Sequence, residues 1–225
     1  RRSGASVAVT GRYCVRGDEV EFHSEVIDLG AEEPLGVVGA VRGPVDAPSE
    51  ALTEVQDRVM GVLATRLRPG TAWEVPASVQ PPTYEAFQHY ARASEYWVRG
   101  RYGEAAEGYM RAYEADTTFL RSMLIGIAAY GQAGDARRMD SLFQVIQPRR
   151  DELAPYDRYR LDYGMADRRG DLPGRLQAAR AGVDLVSGGT LHLALVSTLG
   201  AMNRPREALD NLQEIPQKKN TKESK

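Results

Sequence analysis

Tyr96-Trp97-Val98-Arg99-Gly100-Arg101-Tyr102-Gly103-Glu104-Ala105-Ala106-Glu107-Gly108-Tyr109-Met110-Arg111-Ala112 reads as two helical segments parted by one glycine. Gly100 offers the left-handed backbone conformation that ends a helix. The same order returns in Tyr130-Gly131-Gln132-Ala133-Gly134-Asp135-Ala136-Arg137-Arg138-Met139-Asp140-Ser141-Leu142-Phe143, with Gly134 lying 34 positions after Gly100. A third turn stands at Arg169-Gly170-Asp171, 36 positions on, and a fourth at Met202-Asn203-Arg204-Pro205, 33 after that. Asn203 replaces glycine there, and asparagine is the next residue to tolerate that conformation.

A small residue after the turn (Ala105, Ala208) lets two helices approach closely. A large one a turn later (Tyr109, Phe143, Leu212) fills the space between neighbouring hairpins. An aromatic before the turn (Tyr96, Tyr130) packs on the preceding helix. The third repeat departs from the pattern, with Ala166 and Arg175 at the aromatic and small positions. A period near 34 with helix, glycine turn and helix resembles the tetratricopeptide repeat, and about four hairpins fit residues 83–216. Thr117 stands where the first repeat would close on proline, whereas Pro148 and Pro216 fall near the ends of the second and fourth.

The residues before the repeats read differently. Val7 to Val15 and Val20 to Val26 alternate apolar and polar side chains on either side of Arg16-Gly17-Asp18. Period-two alternation across a short glycine-containing link is a β-hairpin, so the Arg-Gly-Asp triplet is a turn and not an adhesion ligand. A third strand is expected at Leu35–Val41, stopped by Gly43-Pro44. Leu52, Val55, Val59, Val62 or Leu63, and Leu67 then recur every three to four residues, predicting a helix from Pro48 to Arg66. Three strands and one helix make a thin core, so the sheet calls for another element to cover or extend it. Residues 69–82 carry four prolines and form a linker between a partial α/β domain (1–68) and the repeats, with Trp73 expected to pin it to a neighbouring surface or, as the alternative, to contact a partner; residues 217–225 form a polar tail. The fold class is therefore mixed: antiparallel strands plus a helix, followed by an all-α array of tetratricopeptide-like hairpins.

The two parts together resemble something more specific. Val9-Thr10-Gly11-Arg12-Tyr13, the Gly17-Asp18 turn, Phe22-His23-Ser24-Glu25-Val26-Ile27-Asp28 and Arg58-Val59-Met60-Gly61-Val62-Leu63-Ala64 look like the second half of a TolB-like N-terminal domain. Pro81-Pro82-Thr83-Tyr84-Glu85-Ala86-Phe87 followed by repeats continues that likeness, which covers roughly residues 4–215. The combination is similar to the C-terminal region of certain bacterial serine/threonine protein kinases, and to some transcriptional regulators and cyclases. The resemblance implies a sensing or interaction region of a longer signalling protein, whose α/β domain is cut here and whose catalytic module lies elsewhere. In such kinases the region follows a membrane helix, which implies a membrane-anchored parent and a place outside the cytoplasm, the cytoplasm being the alternative.

Composition narrows the chemistry. The 225 residues are 42% hydrophobic and 27% charged with a formal net charge of −2, which gives no basic surface for nucleic acid. One cysteine, Cys14, excludes an internal disulfide framework and a cysteine-based zinc site. Gly36 to Gly43 lacks the Gly-Lys-Ser/Thr ending of a phosphate loop, and no kinase catalytic motif appears. His23, His89 and His192 fall one per region, without ligand spacing, and no histidine near Cys14 in sequence would activate it. Asp162, Asp167 and Asp171 read as a solvated helix face. No catalytic residue, cofactor or metal is expected.

The expected functional surface is the groove lined by the first helix of each hairpin. Aligning on the turns places Phe87, Tyr90 and Trp97 there from the first repeat, Arg121 and Gln132 from the second, and Asp157, Arg160 and Arg168 from the third. Aromatics bring apolar area and arginine brings forked donors, so a peptide with an acidic group or a free C-terminus is the expected ligand. The competing reading buries Phe87, Tyr90 and Trp97 against the linker or the α/β domain. Three functions follow in order: a non-catalytic protein-binding or sensor module; a free-standing scaffold, adaptor or homo-oligomeriser; and an enzyme with a site between the two parts.

Overall fold

The computed structural model describes residues 5–67 and 80–215. Most of the predicted linker, with Trp73, and the predicted tail lie outside the described residues. Among those described are a three-stranded antiparallel sheet and nine α-helices, the mixed architecture expected. The chain divides into two compact units, Arg1–Leu142 and Phe143–Lys225.

Strand β1 (Val7–Arg16) pairs with β2 (Glu19–Asp28), and β2 with β3 (Glu33–Pro44), in the order β1-β2-β3. The β1–β2 register runs unbroken from Val7↔Asp28 to Arg16↔Glu19, closed by Gly17-Asp18 with Gly17 at φ +65°. Positive φ at the first of two loop residues suits the right-handed twist of the strands it joins. The Arg-Gly-Asp triplet is thus a hairpin turn. Strand β3 is longer at both ends than its apolar run suggested, because the ladder reaches Glu33 and Pro44, with register shifts along the way. Helix α1 (Ser49–Leu67) lies over β3 and β2. Val38, Val41 and Ala51 form the core there, with Phe22, Val55 and Val59 packed around them.

Eight helices follow: α2 (Tyr84–Val98), α3 (Tyr102–Ala115), α4 (Leu120–Gln132), α5 (Ala136–Ile146), α6 (Pro155–Arg168), α7 (Leu172–Leu185), α8 (Thr190–Ala201) and α9 (Pro205–Glu214). A 3-10 turn, Gln147–Glu152, precedes α6. The four predicted turns share one geometry. Gly100, Gly134, Gly170 and Asn203 have φ of +72°, +78°, +67° and +56°. In each, the next residue's N–H donates back to a carbonyl five positions earlier: Arg101 to Tyr96, Asp135 to Tyr130, Asp171 to Ala166 and Arg204 to Leu199, all at 2.9 Å. The turn residue itself donates three positions back, to Trp97, Gly131, Asp167 and Gly200, at 3.0–3.1 Å. This pair of bonds is the Schellman motif, which satisfies the last carbonyls of a helix and turns the chain sharply.

Within the first unit, α2 and α3 meet along small residues. Ala93, Ala105 and Ala106 are fully buried, and a Cβ on Gly108 would sit 2.8 Å from that of Ala93. Tyr109 and Ile125 carry that core onto α4. Within the second unit, Leu176, Ala179, Leu195 and Leu199 form the core, with Tyr163 and Ala208 against it. Leu212, expected to fill space between hairpins, is exposed, as is Leu209 one turn before it.

Candidate functional site

Helices α1 and α2 flank an open hollow of about 560 Å³ in the first unit. Leu63 and Ala64 line it from α1; Tyr84, Phe87, Gln88, Arg92 and Glu95 line it from α2. The spacing of Tyr84, Gln88, Arg92 and Glu95 is that of one helix face, so a single stripe supplies both the apolar wall and the polar rim. Thr83 caps α2 by accepting from the Ala86 N–H at 3.3 Å, which fixes where that stripe begins. The volume falls in the range of ligand pockets, but the hollow is open.

Where α1 meets the start of α2 and the end of α3 lies a buried polar node that the sequence did not disclose. Arg58 of α1 donates to the Pro81 carbonyl at 2.8 Å and to Asp116 at 3.2 Å, and its Nε reaches Glu54 at 2.9 Å. Asp116, the residue that ends α3, accepts from the Thr83 N–H at 3.0 Å and from the Thr118 N–H and hydroxyl at 3.0 and 2.6 Å. Both charges are buried. A buried carboxylate surrounded by donors is tolerated because each lone pair is occupied. Gly61 belongs to the same junction: a Cβ there would collide with the Pro82 carbonyl oxygen. The available signals were Gly61 inside a helical pattern and Asp116 at a helix end; neither names its partner, 58 residues away for Arg58 and Asp116.

The predicted groove residues are placed as follows. Phe87 is buried at the floor of the hollow. Tyr90 packs its ring on Tyr109 and Phe119, at 5.2 and 5.3 Å between centroids, in the interior of the hairpin. Trp97 is half-buried, edge-on to Tyr102 at 5.4 Å. Arg121 is half-buried and Gln132 exposed on α4. In the second unit Asp157 is buried, Arg160 lies 3.8 Å from it, and Arg168 is exposed at the end of α6. Phe87 is buried beside Leu63 and Ala64 of α1, as the competing reading has it, whereas Tyr90 packs inside the hairpin, on neither the linker nor the α/β domain. Gln132 and Arg168 remain at the surface.

Several other polar groups are engaged locally. Asp162 takes a bidentate bond from Arg150 at 2.7 and 2.8 Å, Asp167 pairs with Arg175 at 2.9 Å, and Asp171 caps α7 through the Gly174 N–H. These three carboxylates do separate structural work. Glu21 bonds Arg42 and His23, at 2.8 and 2.7 Å; chiefly the Arg42 bond holds its carboxyl below the ordinary range. His192 is fully buried and accepts from the Gly188 N–H through Nδ1 at 3.1 Å. Among the described residues no three His, Cys, Asp or Glu side chains gather to hold a metal ion, and no helix is long and apolar enough to cross a membrane. Comparison with known proteins adds no identity: no family model matches the chain, and no curated protein matches it.

Proposed function

We propose that this chain is a non-catalytic protein-interaction module whose helical hairpins, of the tetratricopeptide kind, bind a peptide or protein along their first helices. The observation that carries this reading is the fourfold recurrence of one turn at intervals of 34, 36 and 33 residues. A strict repeat of helix pairs builds extended surface from local contacts, which suits recognition of a chain more than enclosure of a small molecule. Gln132 and Arg168 sit exposed on α4 and α6 and offer an amide and a guanidinium to a polar ligand. By the resemblance of its two parts, the parent is a bacterial signalling protein with a serine/threonine kinase domain, and this chain is its sensing region.

A photo-crosslinking amino acid at Gln132 or Arg168, compared with the same group at exposed Arg137 of α5 or Gln177 of α7, tests the reading. Crosslinks to one polypeptide from the first helices, lost with Arg121→Ala, are expected. Equal yields from all four positions would refute it.

A further inference from the structure

The third hairpin lacks two side chains that the first two possess. Tyr96 and Tyr130 stand four positions before their turn glycines, Gly100 and Gly134. Each ring is faced by a guanidinium, Arg101 at 4.6 Å from the centre of Tyr96 and Arg138 at 5.4 Å from that of Tyr130. The Tyr130 hydroxyl donates to Glu107 at 3.2 Å, and the ring is buried. Counted from Gly170, the third hairpin has Ala166 at the place of the tyrosine, and Asp171 and Gly174 at the places of the two arginines. Asp171 is spent on capping α7: it accepts the Gly174 N–H at 2.9 Å. A Cβ on Gly174 would stand 2.3 Å from that carboxylate and 3.2 Å from the Ala166 Cβ, so the two shortened positions meet.

A hollow of about 420 Å³ opens there, between α6 and α7 and within the second unit. Its small residues include Ala166, Gly174 and Ala178; its large apolar ones are Tyr159 and Met165. Ala166 and Ala178 are buried, and Tyr159 and Met165 are half-buried. An aromatic face and a thioether both receive a flat ring well. The three charges in the lining differ in what they already bond. Asp162 takes both arms of Arg150, and Asp171 takes the Gly174 N–H. Arg169 is exposed and its guanidinium bonds no described residue. The Gln177 amide, also in the lining, is open in the same way. The charge left to a ligand is therefore positive.

We infer that this hollow binds a small aromatic acid, a ring with a carboxylate on a short arm. The ring takes the place that Tyr130 fills in the hairpin before, against Ala166 and Ala178 and beside Tyr159 and Met165. The carboxylate takes a forked bond from Arg169, with the Gln177 amide as a further donor. The volume is that of a small-molecule site. This site lies between the two helices of one hairpin and does not rest on the peptide reading above, which is tested at Gln132 and Arg168.

The test is a magnetic-resonance titration of the whole chain, isotope-labelled at its methionine methyl groups, with phenylpropionate. A ring-current shift of the Met165 methyl, assigned through Met165→Leu, is expected, with the other methionines unmoved and a dissociation constant of about 1 mM. Phenylpropanol keeps the ring without the charge and should bind about tenfold more weakly, as should phenylpropionate to Arg169→Ala. Ala166→Tyr restores the residue of the earlier hairpins and should abolish binding while the circular dichroism stays unchanged. Arg169→Ala, at an exposed position, keeps the test decisive should the tyrosine variant not fold. A Met165 methyl unmoved at about 10 mM ligand, equal binding of acid and alcohol, or full binding by Arg169→Ala would overturn the inference. So would a folded Ala166→Tyr variant that still binds. A decapeptide ending in phenylalanine that binds more tightly than the free acid would also overturn it, since the occupant would then be a polypeptide end.

Discussion

The first hairpin and the third turn the chain in the same way and pack it in opposite ways. Between α2 and α3 the residue five places after the turn is Ala105, fully buried, and the helices close on Ala93 and Gly108. Between α6 and α7 the same place holds Arg175. Its guanidinium lies 5.3 Å from the centre of the Tyr163 ring, donates to the Tyr163 hydroxyl at 2.9 Å and pairs with Asp167. One seam is held by close backbone approach, the other by a cation bridging an aromatic and a carboxylate. The shared turn sets where the chain reverses; the seam residues set how the two helices are held together.

That contrast can be broken at several points. The largest effect is expected at Asp116, which anchors the first hairpin to α1. Asp116→Ala leaves the buried Arg58 with only Glu54 and the Pro81 carbonyl, strips the Thr83 and Thr118 N–H groups of their acceptor, and should cost about 2–4 kcal/mol, read by urea denaturation of the whole chain. Next is the small-residue seam. Gly108→Val should destabilise by about 1–3 kcal/mol through overpacking against Ala93. On the same helix Gly103→Ala meets nothing within 4 Å and should stabilise slightly, by about 0.5–1 kcal/mol from the lost glycine entropy. A loss at both glycines would show that the seam is not what distinguishes them.

The turns should respond alike in both hairpins. Gly100→Ala and Gly170→Ala have space around them but positive φ, and each should lose about 1–2 kcal/mol. Asn203→Gly should change stability by only a few tenths of a kcal/mol, since asparagine already tolerates that conformation. In the third hairpin Arg175→Ala should cost about 1 kcal/mol, measured by the same denaturation, as it removes one bond to the Tyr163 hydroxyl and the contact with its ring. The smallest effect is expected at the exposed Arg101–Glu104 pair. The Arg101 bond holds the Glu104 carboxyl below its ordinary range, so its contribution is present above the unfolded pKa and fades as pH falls through the lower folded value. Glu104→Gln should lower the pH 7 midpoint only slightly and leave the midpoint unchanged at a pH below the folded value of the Glu104 carboxyl, where the pair is already lost.

The turns were legible in the sequence because a left-handed residue every 33–36 positions is a local requirement with few solutions. Asn203 could be read by the same logic. The hairpin at Gly17 was equally plain, since alternation and turn chemistry agree. The role of Tyr90 was not. Aligning on the turn puts it on the first helix, and only the meeting of Tyr109 and Phe119 turns its ring inward. Asp157 was read as a groove residue and is buried for the same reason: a charge on a helix carries no mark of which neighbour covers it. The Arg58–Asp116 node was invisible because its two residues belong to elements far apart in the chain.

Amide hydrogen exchange of the whole chain, alone and with the polypeptide crosslinked at Gln132 or Arg168, tests the central claim most directly. Slowed exchange confined to α2, α4 and α6, with α3, α5 and α7 unchanged, is the predicted result. Protection on the second helices, or none on any hairpin, would contradict the assignment of binding to the first helices.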